Sequence, residues 1–103
     1  MGLDIRIKEQ APLCCPNCGE IVTYDDVAVV HSSGSDWYDY LEQVGYYEDA
    51  GDWYGVDMML ADKQALQLAC YAVENGCYNS HQIRDLITRA REKGHEVVIN
   101  ADW

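Results

Sequence analysis

At 103 residues the chain is long enough for one folded domain and too short for two. Seven Lys and Arg against 18 Asp and Glu give a formal charge of −11, which excludes the basic footprint of a nucleic-acid-binding surface. No apolar run approaches the roughly 18 residues a membrane helix needs, and five cysteines without an export signal read as reduced thiols. A soluble cytoplasmic protein is therefore expected, with no membrane partner and no direct contact to nucleic acid.

Leu3, Ile5 and Ile7 alternate with Asp4, Arg6 and Lys8, the period of a half-buried strand. A tight turn follows at Cys15-Pro16-Asn17-Cys18-Gly19. Ile21, Val22 and Tyr24, then Val27 to Val30, predict two short strands about Asp25-Asp26 or one bulged strand. Ser32-Ser33-Gly34-Ser35 reads as a loop whose Ser35 caps a short helix over residues 36–44. On that helix Trp37, Tyr40, Leu41 and Val44 form the inward stripe, while Asp36, Asp39 and Glu42 line another face. Residues 46–57 have no clean period and predict an ordered acidic loop; Asp49, Asp52 and Asp57 miss the spacing of a calcium loop.

A helix over residues 62–75 is predicted with Leu66, Ala69, Cys70 and Val73 inward and Gly76 at its end. A second helix from Asn79 or Ser80 to Lys93 places Ile83, Leu86, Ile87 and Ala90 inward and ends at Gly94. Asp85 and Arg89 are spaced as a surface ion pair. Val97-Val98-Ile99 predicts a last strand pairing near the first. The sum is a small single α+β domain over residues 1–103: a short sheet with an N-terminal zinc-knuckle turn, one short acidic helix and two C-terminal helices.

The cysteine turn is chemically the most specific feature. Two thiolates separated by two residues reach one Zn²⁺ from a single turn, and Pro16 pre-sets the backbone. A tetrahedral ion needs four ligands. Cys77 and His81, spaced Cys-x-x-x-His at a helix entry, are the expected second pair, making a structural Zn²⁺ a clip between the two halves of the chain. Cys70 reads as an ordinary buried thiol, and Cys14 is too close in sequence to Cys15 to share its ion. The β-branched Ile21-Val22 after the turn argues against the helix that a redox Cys-x-x-Cys needs.

Charge is concentrated elsewhere. Between Glu9 and Asp62 there are twelve acids and no Lys or Arg. Over residues 36–57 the acids alternate with Trp and Tyr, the pattern of a recognition surface. Its expected contact residues are Asp36, Asp39, Glu42, Glu48, Asp49, Asp52, Trp53 and Tyr54.

Cys-Pro-Asn-Cys-Gly-Glu before a strand-like run resembles the first knuckle of a zinc ribbon, over residues 15–20. Size, charge and the acidic aromatic segment make the chain similar to small acidic phage-encoded inhibitors, including anti-CRISPR proteins, several of which look like DNA to their target. That resemblance implies a viral protein acting as a DNA mimic in the host cytoplasm, with a CRISPR effector or other nucleic-acid enzyme as partner. The leading expectation is a zinc-stabilised acidic module that occupies the basic groove of such a partner. A helix-turn-helix-like DNA-binding regulator over residues 62–93, with Arg84 and Arg91 on one face, is the alternative. A small zinc hydrolase ranks below both: no phosphate loop, nucleophile elbow or His-Glu-x-x-His is present and no catalytic residue is assigned.

Overall fold

The alternation at the N-terminus builds β1 (Asp4–Cys14), which pairs antiparallel with β2 (Ile21–Ser33) on one side and with β4 (Glu96–Asp102) on the other. The computed structural model describes residues 3–46 and 55–102. A short β3 (Met58–Leu60) pairs antiparallel with β4 and completes a sheet of order β2-β1-β4-β3. The helices are α1 (Trp37–Gln43), α2 (Asp62–Glu74) and α3 (Ser80–Lys93). The α+β expectation holds at this level.

One face of the sheet is apolar because the register aligns every inward residue. Ile5 faces Ala101, Ile7 faces Ile99 and Glu9 faces Val97, and the apolar members join Leu41, Leu68, Ile83, Leu86 and Ile87 in one core. Helix α3 packs across β1, β2 and β4 with its expected stripe of Ile83, Leu86, Ile87 and Ala90 buried. Gly94 ends it at φ +70°, a left-handed conformation that suits glycine, and the His95 N–H returns to the Ala90 carbonyl at 2.8 Å.

The opposite face is polar and internally neutralised. Arg6 bonds Asn100 at 2.8 Å and Asp102 at 2.9 Å, while Lys8 bonds Asp57 at 3.0 Å. Asn100 in turn donates to Asp57 at 2.8 Å. Burial works against the Asp57 carboxylate, but these donors outweigh it and hold its pKa below the ordinary value.

The middle of β2 takes one of its two expected forms, and two details differ from expectation. The residues about Asp25-Asp26 form one bulged strand: Glu9 faces Ala28 and Gln10 faces Asp26, which leaves Val27 outside the pairing. The strand continues through Ser32 and Ser33, and Ser32 is buried where a loop was expected. Ser35 makes no side-chain cap on α1; the N-cap position falls on Asp36.

The buried stripe of α2 is also corrected. Ala65, Leu68 and Ala72 face inward, whereas Leu66, Cys70 and Val73 are exposed. Two apolar rows coexist on this helix, and the row carrying two alanines lets α3 approach closely. Pairing with α3, not hydrophobicity, made the choice.

Candidate metal centre and acidic face

The cysteine turn is the tip of the β1–β2 hairpin. Strand β4 accompanies β1 only as far as Gln10, opposite Glu96. Beyond it, residues 11–14 and 21–25 pair with each other alone, so the tip stands on a two-stranded ribbon that leaves the sheet. The Cys15 N–H bonds the Glu20 carbonyl at 2.7 Å and the Gly19 N–H bonds the Cys15 carbonyl at 2.8 Å. Gly19 sits at φ +74°, which this closure requires and which a side chain rarely adopts.

The turn also eases ionisation of one thiol. Cys15 Sγ accepts backbone N–H bonds from Asn17 and Cys18 and meets the Cys18 thiol, and these bonds lower its pKa below the ordinary thiol value. Two sulfurs held together over backbone donors fit a thiophilic ion such as Zn²⁺. Cys14 ends β1 opposite Ile21 and is exposed, and among the described residues it forms no group of three metal-ligating side chains with the two cysteines.

The expected second pair lies elsewhere. Tyr78 accepts a hydrogen bond from Ser32 at 2.6 Å and Asn79 donates to the His31 carbonyl at 2.7 Å. The Cys77–His81 segment is thus fastened to the far end of β2. From Ile21 to His31 that strand runs about 30 Å at ~3.3 Å per residue. The four residues Cys15, Cys18, Cys77 and His81 therefore do not come together, which corrects the expectation of one ion clipping the two halves. Cys77 is buried, its N–H on the Ala72 carbonyl at 2.9 Å, and burial followed by the charge of Asp36 raises its thiol pKa. Among the described residues no group of three or more His, Cys, Asp and Glu is arranged to hold a metal ion.

The acidic face divides into spent and free charge. Glu9 bonds His95 at 2.6 Å, Asp26 bonds Gln10 at 2.7 Å, and Asp62 binds Arg91 at 2.7 Å. Asp36, Asp39 and Glu42 are exposed, and none has a side-chain ion pair among the described residues. Their i, i+3, i+6 spacing places them along one side of α1 at about 4.5 Å intervals of rise. Both Asp39 and Asp36 help raise the pKa of Tyr71, after its burial, so the row extends its field over the adjoining α2 surface. Glu48, Asp49, Asp52, Trp53 and Tyr54 lie outside the described residues.

Of the rings that alternate with those acids, Trp37 and Tyr40 take the inward positions expected of them. Trp37, Tyr40 and Tyr46 are fully buried. Trp37 donates to Ser32 at 2.9 Å, Tyr40 to the Gln64 carbonyl at 3.0 Å, and Tyr46 to the Val56 carbonyl at 2.6 Å. Trp37, Tyr40 and Tyr71 pack together edge-on or tilted, with centroids 5.7–6.1 Å apart. These rings hold α1 in place instead of offering contact area.

Both arginines of the DNA-reading alternative lie beside acids of their own chain. Arg91 is engaged by Asp62, and Arg84 lies 3.8 Å from Asp85, which displaces the anticipated Asp85–Arg89 pair. A feature missed at the level of sequence is the Glu9–His95 contact, where a buried carboxylate ties β1 to the turn after α3. Its only sequence signal was an acid at an inward position of an alternating strand.

No protein family, no curated protein and no solved structure matches this chain. Among the described residues no helix is long and apolar enough to cross a membrane.

Proposed function

We propose that this chain is an acidic interaction module that binds the basic nucleic-acid groove of a partner protein and so acts as an inhibitor, with Zn²⁺ held at Cys15 and Cys18. The observation that carries the reading is the row of Asp36, Asp39 and Glu42. These carboxylates are exposed and have no ion pair among the described residues, while the acids near Arg6, Lys8 and Arg91 are neutralised within the fold. A surplus of ordered negative charge on a helix buttressed by buried rings presents anions at a spacing of the same order as backbone phosphates. Against Lys and Arg of a groove, carboxylates then compete directly with nucleic acid. A CRISPR effector or another nucleic-acid enzyme of phage hosts is the partner class this reading favours.

The test is displacement of labelled duplex DNA from such enzymes, at low and high salt, by the chain and by a variant carrying Asp39→Lys, Glu42→Lys, Asp49→Lys and Asp52→Lys. Displacement by the chain should fade as salt rises and be lost in the variant. A folded variant that displaces DNA as well as the parent refutes the proposal.

A further inference from the structure

We infer that the Cys15–Cys18 turn is half of a zinc site, completed when two copies of this chain meet tip to tip and place four thiolates on one ion. The inference rests on the zinc reading above and adds where the missing ligands come from.

A structural zinc site is closed by four protein ligands, and the turn supplies two. The remaining pair cannot be Cys77 and His81, whose segment is fastened about 30 Å away along β2. Among the described residues no other His, Cys, Asp or Glu joins the two cysteines in a group that could hold a metal. A two-fold axis through the ion supplies what is lacking, because an isologous contact repeats the same pair.

The shape of the molecule permits that contact. The tip is carried on a ribbon that leaves the sheet after Gln10, so two tips can meet without collision of the domains behind them. Leu13, Ile21 and Val22, which flank the cysteines, are 46%, 53% and 68% exposed, an apolar collar that the meeting would cover.

At the tip one acid, Glu20, stands close to the cysteines, and the row of α1 lies at the other end of β2. Each copy carries −11, so most pairs of faces repel. The free acids of α1 follow directly on the Ser32 end of β2, remote from the tip. In a tip-to-tip dimer the two acidic rows would stand about 60 Å apart, far beyond a Debye length of ~8 Å. The same arrangement would display two acidic faces pointing outward.

Assembly is balanced simply. Four thiols release four protons to solvent, four Zn–S bonds form on one Zn²⁺, and no oxidant or reductant takes part.

The experiment titrates the full-length, reduced, metal-free chain with Zn²⁺ alone and follows molar mass by light scattering and bound metal by elemental analysis. The expected result is one Zn²⁺ per two chains and a mass of twice 11.7 kDa, reversed by chelator with no loss of helical circular dichroism. Titration with Co²⁺ should saturate at half an equivalent, with the absorption of a four-thiolate tetrahedral site. Cys15→Ser and Cys18→Ser should each abolish the doubling, while Cys77→Ser and His81→Ala should retain it. One Zn²⁺ per monomer, a dimer indifferent to chelator, or doubling that survives Cys15→Ser overturns the inference. If the chain displaces DNA from a partner but never pairs through zinc, this inference fails and the acidic-face reading stands. If Asp39→Lys with Glu42→Lys pairs normally through zinc but displaces DNA as the parent does, the reverse holds.

Discussion

Ser32 Oγ accepts the indole N–H of Trp37 at 2.9 Å and donates its own proton to the Tyr78 carbonyl at 2.6 Å, so one buried hydroxyl joins β2, α1 and the segment entering α3. Replacing it with alanine leaves the indole N–H without its partner in a dry site. Ser32→Ala should lower stability by about 1–3 kcal/mol, measured by urea unfolding. Because α1 carries the free acids, the loss should also loosen the orientation of Asp36, Asp39 and Glu42.

Cys77 and His81 should be dispensable for metal. Cys77→Ser should destabilise the fold by roughly 1–2 kcal/mol, since it puts a hydroxyl among apolar neighbours. His81→Ala, on the exposed side of α3, should change stability by less than about 0.5 kcal/mol. Elemental analysis of both variants should return the parent's zinc content.

Acid should unfold the protein partly through Asp57. Its pKa is lower in the folded chain than in the unfolded one, so between the two values the unfolded state binds more protons and stability rises with pH. The contribution is fully present above about pH 4 and is lost as pH falls through the folded value. Asp57→Ala should cost about 1 kcal/mol at neutral pH, a modest figure because the carboxylate is partly exposed. Acid titrations followed by circular dichroism should show a shallower pH dependence in the variant.

Charge reversal on α1 should separate binding from folding. Asp39 and Glu42 are exposed and have no ion pair among the described residues, so Asp39→Lys with Glu42→Lys should shift the unfolding midpoint little, within about 0.5 kcal/mol per site. Relief of like-charge repulsion along the row offsets part of any loss. Thermal melts of the folded variant beside the DNA-displacement assay make the comparison.

Periodicity by itself determined the elements whose two faces differ sharply in polarity. The alternation of Leu3, Ile5 and Ile7, the stripe of Ile83, Leu86, Ile87 and Ala90, and the glycine exit at Gly94 could each be read without the fold, because each is a local pattern with one apolar solution. The paired thiols of Cys15 and Cys18 were legible for the same reason: their spacing lies within one turn. Where two solutions competed, tertiary contact chose. Helix α2 offered Leu66, Cys70 and Val73 as well as Ala65, Leu68 and Ala72, and the approach of α3 buried the second row. Trp37 and Tyr40 were legible as the inward stripe of α1, but the partners of their indole and hydroxyl groups, and the burial of Tyr46, exist only in the assembled fold. The separation of Cys77 and His81 from the cysteine turn is of the same kind. Sequence spacing carries no information on which end of a 13-residue strand a distant segment will meet, and hydrogen bonds at Ser32 and His31 set that end.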